Sequence, residues 1–385
     1  MKNKQVYFVL RSVCTIFVAK LTTHLKESKF MGKLALFKFA YFVSVVLTFA
    51  LMIVSILGGW AGHVHPKQNL FITYLGLALP VLLILCGIML VYWLCRRKWW
   101  TLFPLLALLC NIPFLSSVFQ ISGGETEPAE QPLRVMTLNV RGFVDDNQDD
   151  SADNIHTYLE QEEVQVVCFQ EYSDFVSGRS EKISKYLNSL FPYQALSGSI
   201  AIFSKHPIVK KDYLTFRDTN NGAQWADLEI GKQKVRIINL HLQTTGVNSA
   251  LRQAAKYEEN GAEVSGTKKA DMVADRMGYE FFRRAEQADM IYDLVKQTTH
   301  PVIVCGDLND TPASYTYRRV KGDLEDGFHT AGKGYMYTYK GAKGMIRIDY
   351  IFHSPTLEAH QYYSDSQIWS DHNPVVMEVD LAVKK

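Results

Sequence analysis

Three long stretches without a charged residue occupy much of the first third of the chain. They cover residues 39–60, 70–95 and 99–121. Each reaches the roughly 20 residues that a helix needs to cross the hydrocarbon core of a bilayer. Tryptophans lie near their ends, as is typical of a membrane surface: Trp60, Trp93, Trp99 and Trp100. The sequence therefore predicts three transmembrane helices, in preference to buried helices of a soluble protein.

Basic residues around these stretches predict how the helices are oriented. Lys26, Lys29, Lys33 and Lys38 lie just before the first stretch, and Arg96, Arg97 and Lys98 lie between the second and the third. Residues 61–69 hold only Lys67, and residues 123–132 hold three glutamates and no basic residue. Because three crossings end on the far side, we expect a cytoplasmic N-terminus and an extracytoplasmic remainder, in an inner or plasma membrane.

The same pattern predicts the domain boundaries. Residues 1–122 form an N-terminal segment with the three helices, residues 123–132 a short polar linker, and residues 133–385 a soluble domain. Residues 1–30 are basic and patchily apolar, and two interpretations stay open for them. They form an interfacial helix, or they are an extension upstream of a natural start at Met31.

The soluble domain alternates apolar strands with helical stretches. Residues 164–170 are almost continuously apolar, which is typical of a strand buried on both faces. Helical spacing covers 154–162, 181–191 and 274–297, whereas the charged residues 249–269 predict an exposed insertion. Buried sheets need covering layers, so the pattern predicts an α/β sandwich. A formal net charge of +2 gives no general attraction to nucleic acid, and the six cysteines lack zinc-site spacing.

The most informative stretch of this domain is Gly306-Asp307-Leu308-Asn309, which follows an apolar run at residues 301–304. Alternate residues of an extended segment point the same way, so Asp307 and Asn309 are expected to face one site. A carboxylate accepts hydrogen bonds, and a carboxamide both donates and accepts them. This pair suits a site that holds a water molecule and a phosphate oxygen together.

Polar side chains also end several other predicted strands. They are Asn139, Glu171, His241, Asp349, and the adjacent Asp371 and His372. Ligand and catalytic groups gather outside the carboxyl ends of strands in α/β sheets. A single such residue is more often a turn or core residue, but six at strand ends indicate one site.

In order, the segments Thr-Leu-Asn-Val-Arg, Phe-Gln-Glu, Asn-Leu-His-Leu, Gly-Asp-Leu-Asn, Arg-Ile-Asp-Tyr-Ile-Phe and Ser-Asp-His-Asn-Pro-Val resemble the endonuclease/exonuclease/phosphatase superfamily. The resemblance covers residues 133–381. It implies a four-layer sandwich, with two mixed β-sheets face to face and helices outside. It also implies Mg²⁺- or Mn²⁺-dependent attack of water on a phosphate ester.

For the metal, the resemblance implies three residues. Glu171 would be the principal ligand with help from Asn139, and Asp371 would support the ion from the other side. Oxygen ligands with open water positions suit Mg²⁺, which keeps part of its hydration shell.

For the reaction, the resemblance implies roles for five more residues. Asp307 would deprotonate the attacking water and Asn309 would hold it or a phosphate oxygen. His372, paired with Asp349, would contact the phosphate, and His241 matches a phosphate-contacting histidine of the deoxyribonuclease and sphingomyelinase branches. No Gly-x-Ser-x-Gly segment is present, which disfavours a serine hydrolase.

Some residues depart from the family's pattern. Abasic-site enzymes carry an acid where this chain has Arg141, and their tyrosine–asparagine segment is replaced here by that of His241, so abasic DNA repair is disfavoured. Arg284 resembles a residue of the helix preceding Gly-Asp-Leu-Asn, but its plain interpretation is a solvated helix face.

Three functions stay open. The first is a membrane-anchored phosphoesterase acting on lipid head groups or scavenged phosphodiesters. The second is an extracytoplasmic nuclease, and the third is a catalytically inactive binding module. No obligate protein partner is evident.

Overall fold

A computed structural model describes residues 29–121, 129–172 and 180–382, apart from residues 146, 148, 342, 343 and 345. The chain forms two compact units, residues 1–55 with 81–109, and residues 56–80 with 110–385. The predicted segment 1–30 and the linker 123–132 lie, except for their last residues, outside the described residues.

Two long apolar helices begin the described chain, α1 (Lys29–Gly59) and α2 (Leu70–Cys95). Both are long and apolar enough to cross a membrane. Within the first unit, buried polar side chains join them: the Trp93 indole donates to the Thr48 hydroxyl at 2.7 Å, and Ser55 lies 3.2 Å from the Cys86 sulfur. Such hydrogen bonds hold helices together where lipid offers no polar partner.

The third predicted span is not one continuous helix. A short 3₁₀ turn (Trp99–Thr101) leads into α3 (Leu102–Cys110), and α4 (Ile112–Val118) follows after a bend at Asn111. Pro113 lies in the first turn of α4 and has no N–H to continue the preceding helix, so the break falls there. The described chain thus holds two candidate spans, or three if the bent pair counts as one.

The second unit contains, among the described residues, two six-stranded sheets. The strands in chain order are β1 (Phe119–Gln120), β2 (Pro132–Asn139), β3 (Val166–Gln170), β4 (Tyr193–Ser197), β5 (Ile200–Ser204), β6 (Ile208–Thr215), β7 (Gly222–Ile230), β8 (Gln233–His241), β9 (Val302–Asp307), β10 (Glu325–Asp326), β11 (Gly334–Tyr335), β12 (Asp349–His353), β13 (Glu358–Tyr363) and β14 (Val375–Asp380). The first sheet has the order β10-β12-β9-β8-β7-β6, and the second β13-β14-β2-β3-β5-β4; β1 pairs with β11. Each large sheet contains one parallel pair, β8 with β9 and β2 with β3, so both are mixed.

Helices cover both outer faces. They are α5 (Ala152–Gln161), α6 (Ser180–Leu190), α7 (Val247–Glu259), α8 (Gly266–Lys296) and α9 (Tyr315–Lys321), whereas α10 (Gly327–Ala331) contributes Phe328 to the core between the sheets. The inner faces share a core that includes Val135, Cys168, Ile237, Cys305 and Met377. Helices α5 and α6 pack on the second sheet, whereas α8 and α9 pack on the first. The predicted four-layer α/β sandwich is therefore confirmed.

Strand β6 and the segment 249–269 differ from the sequence-based expectation. Strand β6 was not predicted because it is an edge strand whose side chains are mostly exposed, so it lacks an apolar run. The predicted insertion 249–269 instead contains most of α7 and the start of α8. Only Ala250 and Ala254 of α7 are buried, which left little apolar periodicity to find.

A buried ion pair joins three parts of this unit. Arg347 is almost fully buried and binds both carboxylate oxygens of Asp326, at 2.8 and 2.6 Å. It also donates to the Ser117 carbonyl of α4 (2.9 Å) and to the Tyr362 hydroxyl (3.0 Å). Burial would raise the pKa of Asp326, but the Arg347 charge outweighs it and holds that pKa below its usual range.

Replacing Arg347 by methionine is expected to lower the free energy of unfolding by about 3–5 kcal/mol, because Asp326 would be left buried without its counter-charge. Denaturant unfolding of the full chain in detergent measures this. The exposed Lys232→Met serves as the control and should change stability by less than ~0.5 kcal/mol. Equal stability of the two variants would show that the pair contributes little.

Candidate active site

Three neighbouring strands of the first sheet place three predicted residues in one row. His241 ends β8 and lies opposite Asp307, which ends β9. Asp349 begins the antiparallel β12 and lies opposite Asp307 on its other side. Residues directly opposite one another share a face of the sheet. The row therefore sits at one edge, with its side chains on one side.

Gly306 permits the close approach of β8 and β9 just before this row. Its φ of +139° is a conformation that L side chains rarely adopt, and a Cβ there would lie 1.9 Å from the Leu240 carbonyl oxygen. Only glycine fits between the two strands at this point. This explains why an apolar strand carries a glycine one residue before its acid.

Asp307 is buried and held from two sides. Its Oδ1 accepts the Asn309 backbone N–H at 2.7 Å, and its Oδ2 lies 3.2 Å from the amide nitrogens of Asn309 and Asn139. Asn309 adopts a left-handed backbone conformation (φ +52°), which asparagine tolerates and which folds it back toward Asp307. The carboxylate is thereby fixed in one orientation.

His372 reaches this row from the loop before β14. Its Nδ1 lies 2.9 Å from Asp349 Oδ2, and its Nε2 lies 3.9 Å from Asp307 Oδ2. Burial would lower the pKa of His372, but the charges of Asp349 and Asp307 outweigh it and raise the pKa to about 10. The imidazole is therefore a cation at neutral pH, with Nε2 directed toward Asp307.

Burial, followed by the charge of Asp349, raises the pKa of Asp307 to about 7, although His372 opposes the shift. A general base works best when its pKa lies near the working pH. Asp307 is thus able to accept a proton at neutral pH, which an ordinary surface aspartate does poorly.

Glu171 and Asn139 come from the second sheet. Glu171 follows β3 in a left-handed conformation (φ +52°), and its side chain is 44 % exposed. The Asn139 amide nitrogen donates to Glu171 Oε1 at 3.0 Å, while its Oδ1 accepts the Arg141 N–H at 3.1 Å. The amide nitrogen, and not the oxygen that a cation requires, faces Glu171. Asn139 Oδ1 retains one lone pair for a metal.

His241 faces both acids. Its Nε2 lies 3.9 Å from Glu171 Oε1 and 3.7 Å from Asp307 Oδ2, and among the described residues neither ring nitrogen has a hydrogen-bond partner. Burial lowers the pKa of His241 to about 4, so the ring is neutral. A buried polar group without a partner is uncommon and indicates a place for a ligand or water.

Asp371 lies at the rim of the same cleft, which has a volume of about 850 Å³ and also contains Glu171, Asp307 and His372. Its Oδ1 lies 3.3 Å from the Ser370 hydroxyl. No hydrogen bond joins it to Glu171 or Asn139 among the described residues.

Two groups in the cleft have the chemistry to hold a cation. Glu171 and Asp307 offer hard carboxylate oxygen atoms beside the unpartnered His241, which suits Mg²⁺ or Mn²⁺, whereas Asn139 presents its amide nitrogen to both acids. Ligand atoms of Asp307, Asp349 and His372 also lie within 4.8 Å of one another. However, His372 is already engaged by Asp349 and protonated, and a metal needs a neutral imidazole. The residues around Glu171 therefore fit a divalent cation better.

The prediction that Arg284 lies on a solvated helix face is wrong. It is fully buried on α8, its Nε donates to Asp310 Oδ2 at 3.0 Å, and its Nη1 donates to the Gln243 carbonyl at 2.6 Å. It thus joins the loops that follow β8 and β9. Its spacing to the buried Ala288 and Ile291, four and seven residues on, was the signal for an inward face.

A polar contact between the sheets was also missed. Gln170 Nε2 donates to Asn239 Oδ1 at 2.6 Å, and the Asn239 amide nitrogen donates to the carbonyls of Phe169 and Ala201. Because both side chains are fully buried, the bonds fix the two sheets directly beneath the cleft.

Residues 136–372, more than half of the chain, match the model of the Endonuclease/Exonuclease/phosphatase family, and the chain belongs to that family. Residues 38–118 match a second model, described as a domain of unknown function (DUF8431). A search of curated protein sequences finds no match.

Several solved structures are similar in fold. An endonuclease/exonuclease/phosphatase from Bacteroides vulgatus is 17 % identical, with a TM-score of 0.47 over 66 % of this chain and 100 % of its own. A humanized D. rerio TDP2 is 18 % identical, with a TM-score of 0.48 over 65 % and 99 %. Sphingomyelinase C from Streptomyces griseocarneus is 18 % identical, with a TM-score of 0.43 over 66 % and 99 %. Similarity at this level says nothing about the substrate of this chain.

Replacing Asp307 by asparagine is expected to raise the melting temperature in chelator, and to raise it more at pH 8 than at pH 5. The folded-state pKa of about 7 lies above the unfolded value, so the wild type loses stability as pH rises from about 4 to about 7. The Asp307→Asn variant does not lose stability in this way, because asparagine does not ionise.

Thermal unfolding across this pH range measures the difference, with the exposed Asp212→Asn as control. The raised pKa of Asp307 would be contradicted if the stability of the wild type rose steadily across this pH range, in parallel with that of both variants.

Proposed function

We propose that this protein is a membrane-anchored, divalent-metal-dependent phosphoesterase that hydrolyses a phosphate monoester or diester. The observation that carries the proposal is one cleft in which Asp307, with a pKa near neutrality, lies between the cationic His372 and the exposed carboxylate of Glu171. Membership of the family supports the reaction class.

In the proposed mechanism, Glu171 would hold Mg²⁺ or Mn²⁺ with help from Asn139 once its amide has turned its Oδ1 toward the ion, and Asp371 would support the ion from the rim. When bound, the ion supplies Lewis-acid stabilisation of the charge that develops on the phosphoryl group.

The chain's own groups perform the remaining steps. Asp307 takes a proton from the attacking water at a carboxylate oxygen, and Asn309 orients that water. As the new P–O bond forms, the ester P–O bond breaks and the alcohol leaves with a proton from solvent. His372 donates from Nε2 to a phosphoryl oxygen while Asp349 holds its Nδ1. His241, neutral and without a partner, contributes a further hydrogen bond to the phosphate.

A lipid head group is the substrate that the cleft favours. Leu77, on the candidate membrane helix α2, lines the same cleft as Glu171 and Asp307. An apolar side chain of a candidate membrane helix in the wall supports a cleft that opens beside the surface of the bilayer. A phosphoester carried by a lipid would reach it without leaving the membrane. A nuclease is the second candidate, because Arg252 and Lys256 also line the cleft.

The loop between α1 and α2 supports the proposed orientation. Lys67 forms an ion pair with Glu286, and the His65 ring lies 4.8 Å from the Tyr315 ring. These contacts support a loop on the same side of the membrane as the catalytic domain. Since the chain enters that domain after α4, the bent pair α3–α4 must cross back. With a cytoplasmic N-terminus, the domain is then extracytoplasmic.

The full chain in detergent or nanodiscs is expected to hydrolyse a phosphoester with Mg²⁺ or Mn²⁺ and to lose activity in chelator. Glu171→Ala and Asp307→Asn should each lower the rate by on the order of 10²–10³, since each removes a preorganised group. Asp212→Asn, on the exposed edge strand β6, should leave it unchanged. A panel of phospholipids, plasmid DNA and simple phosphomonoesters tests the substrate class. Hydrolysis that is insensitive to Glu171→Ala would refute the site.

Fusions made after residue 122 test the orientation. Alkaline phosphatase fused there is expected to be active, and green fluorescent protein fused there is expected to be non-fluorescent. The reason is that only alkaline phosphatase matures on the far side of an inner membrane. Fusions after residue 97 should give the reverse result. Fluorescence after residue 122 would overturn the assignment.

A further inference from the structure

A second cavity of about 780 Å³ lies apart from the catalytic cleft, and the described residues that line the two do not overlap. Its walls include Gly59 and Trp60 at the end of α1, Pro113 at the start of α4, and Arg318 on α9. The cavity thus opens beside the end of the candidate span Ala35–His63 and beside the second helix of the bent pair. No residue in it belongs to the proposed hydrolytic machinery.

The cavity carries uncompensated positive charge. Of its basic residues, Arg319 is paired with Asp289 at 2.6 Å. Arg318 and Lys321 form no ion pair with any carboxylate in the described part of the chain. The one acid in the lining, Asp323, is paired with Lys296. Two cations are therefore available to an anion.

The other wall is aromatic and apolar. The Trp60 ring is 57 % exposed and stacks on the His63 ring at 4.0 Å, and Phe114 lies nearby in the lining. Tryptophan is enriched at the level of lipid head groups, where one side of the ring is apolar and the other wet. Gly62 brings this wall close to the basic helix, because a Cβ there would lie 3.5 Å from Arg318 Cβ.

We infer that this cavity binds the anionic phosphate head group of a membrane lipid. Arg318 and Lys321 would contact the phosphate, and Trp60 would pack against the glycerol region. Arginine recognises phosphate through two parallel N–H groups, and basic pockets beside membrane helices bind anionic head groups. A free phosphate ester offers the same anion but not the apolar part, so the two sources can be separated.

The inference does not depend on catalysis, and its test uses the full chain carrying Asp307→Asn in the presence of chelator, so that hydrolysis of the probes does not interfere. The protein in detergent is titrated with short-chain phosphatidylglycerol, short-chain phosphatidylcholine, or glycerol phosphate. Binding is measured by the shift in melting temperature and by native mass spectrometry.

Phosphatidylglycerol is expected to bind best. The double substitution Arg318→Gln and Lys321→Gln, added to Asp307→Asn, should weaken the binding of phosphatidylglycerol by roughly 30-fold, because two basic contacts are lost. Lys232→Gln with Lys234→Gln is the matched control, with the same charge change at an exposed turn and no expected loss. The single Arg318→Gln should show an intermediate loss if the double variant unfolds.

Equal binding of phosphatidylglycerol by the double variant and the control would overturn the site. If phosphatidylcholine bound as tightly as phosphatidylglycerol, the claim that the cavity recognises an anionic head group would be overturned. Glycerol phosphate binding equally well would show that the cavity recognises a soluble phosphate ester and not a lipid.

Discussion

The close approach of β8 and β9 at Gly306 is the constraint on which the candidate site depends. A side chain at that position would meet the Leu240 carbonyl oxygen and separate the strands. The separation would remove the row that sets His241, Asp307 and Asp349 side by side. Two buried carboxylates in one row repel each other, and His372 offsets that repulsion from a loop that leads into the other sheet. The site is therefore a joint product of both sheets.

Environment gives chemically identical residues opposite roles in this cleft. The pKa of His372 is raised to about 10 because the charges of two carboxylates outweigh the effect of its burial. The pKa of His241 is instead lowered to about 4 by burial. One histidine is thus a fixed cation and the other a neutral ring with unpartnered nitrogens. Asp307 lies within 4 Å of both, and its raised pKa follows from burial beside Asp349. Neighbouring groups whose pKa values are pushed apart are the usual basis for dividing acid and base roles.

Sequence patterns predicted the features that depend on local apolar runs and missed those set by tertiary contacts. The α/β sandwich follows from strands that are apolar throughout, its four layers were implied by the resemblance to the family, and the apolar helices follow from long uncharged stretches. The polar residues at strand ends were evident, but the direction of the Asn139 amide depends on Glu171 and Asp307, which are distant in sequence. Arg284 was misjudged because its charge suggested solvent, while its partners, Asp310 and the Gln243 carbonyl, belong to other loops.

Helix α8 connects the start of the candidate membrane helix α2 to the candidate site. Near its middle, Gly278 packs against Leu70, where a Cβ would lie 2.9 Å from the Leu70 side chain, and the Tyr74 hydroxyl donates to the Ala274 carbonyl at 2.6 Å. Two turns further on, Arg284 of the same helix holds the loops that carry the reactive groups. The first turns of α2 are therefore part of the catalytic unit and not a separate tether. A fragment that begins after the candidate membrane helices would expose the face of α8 around Phe281, which contacts the Tyr74 ring. It would therefore lose packing that supports the site.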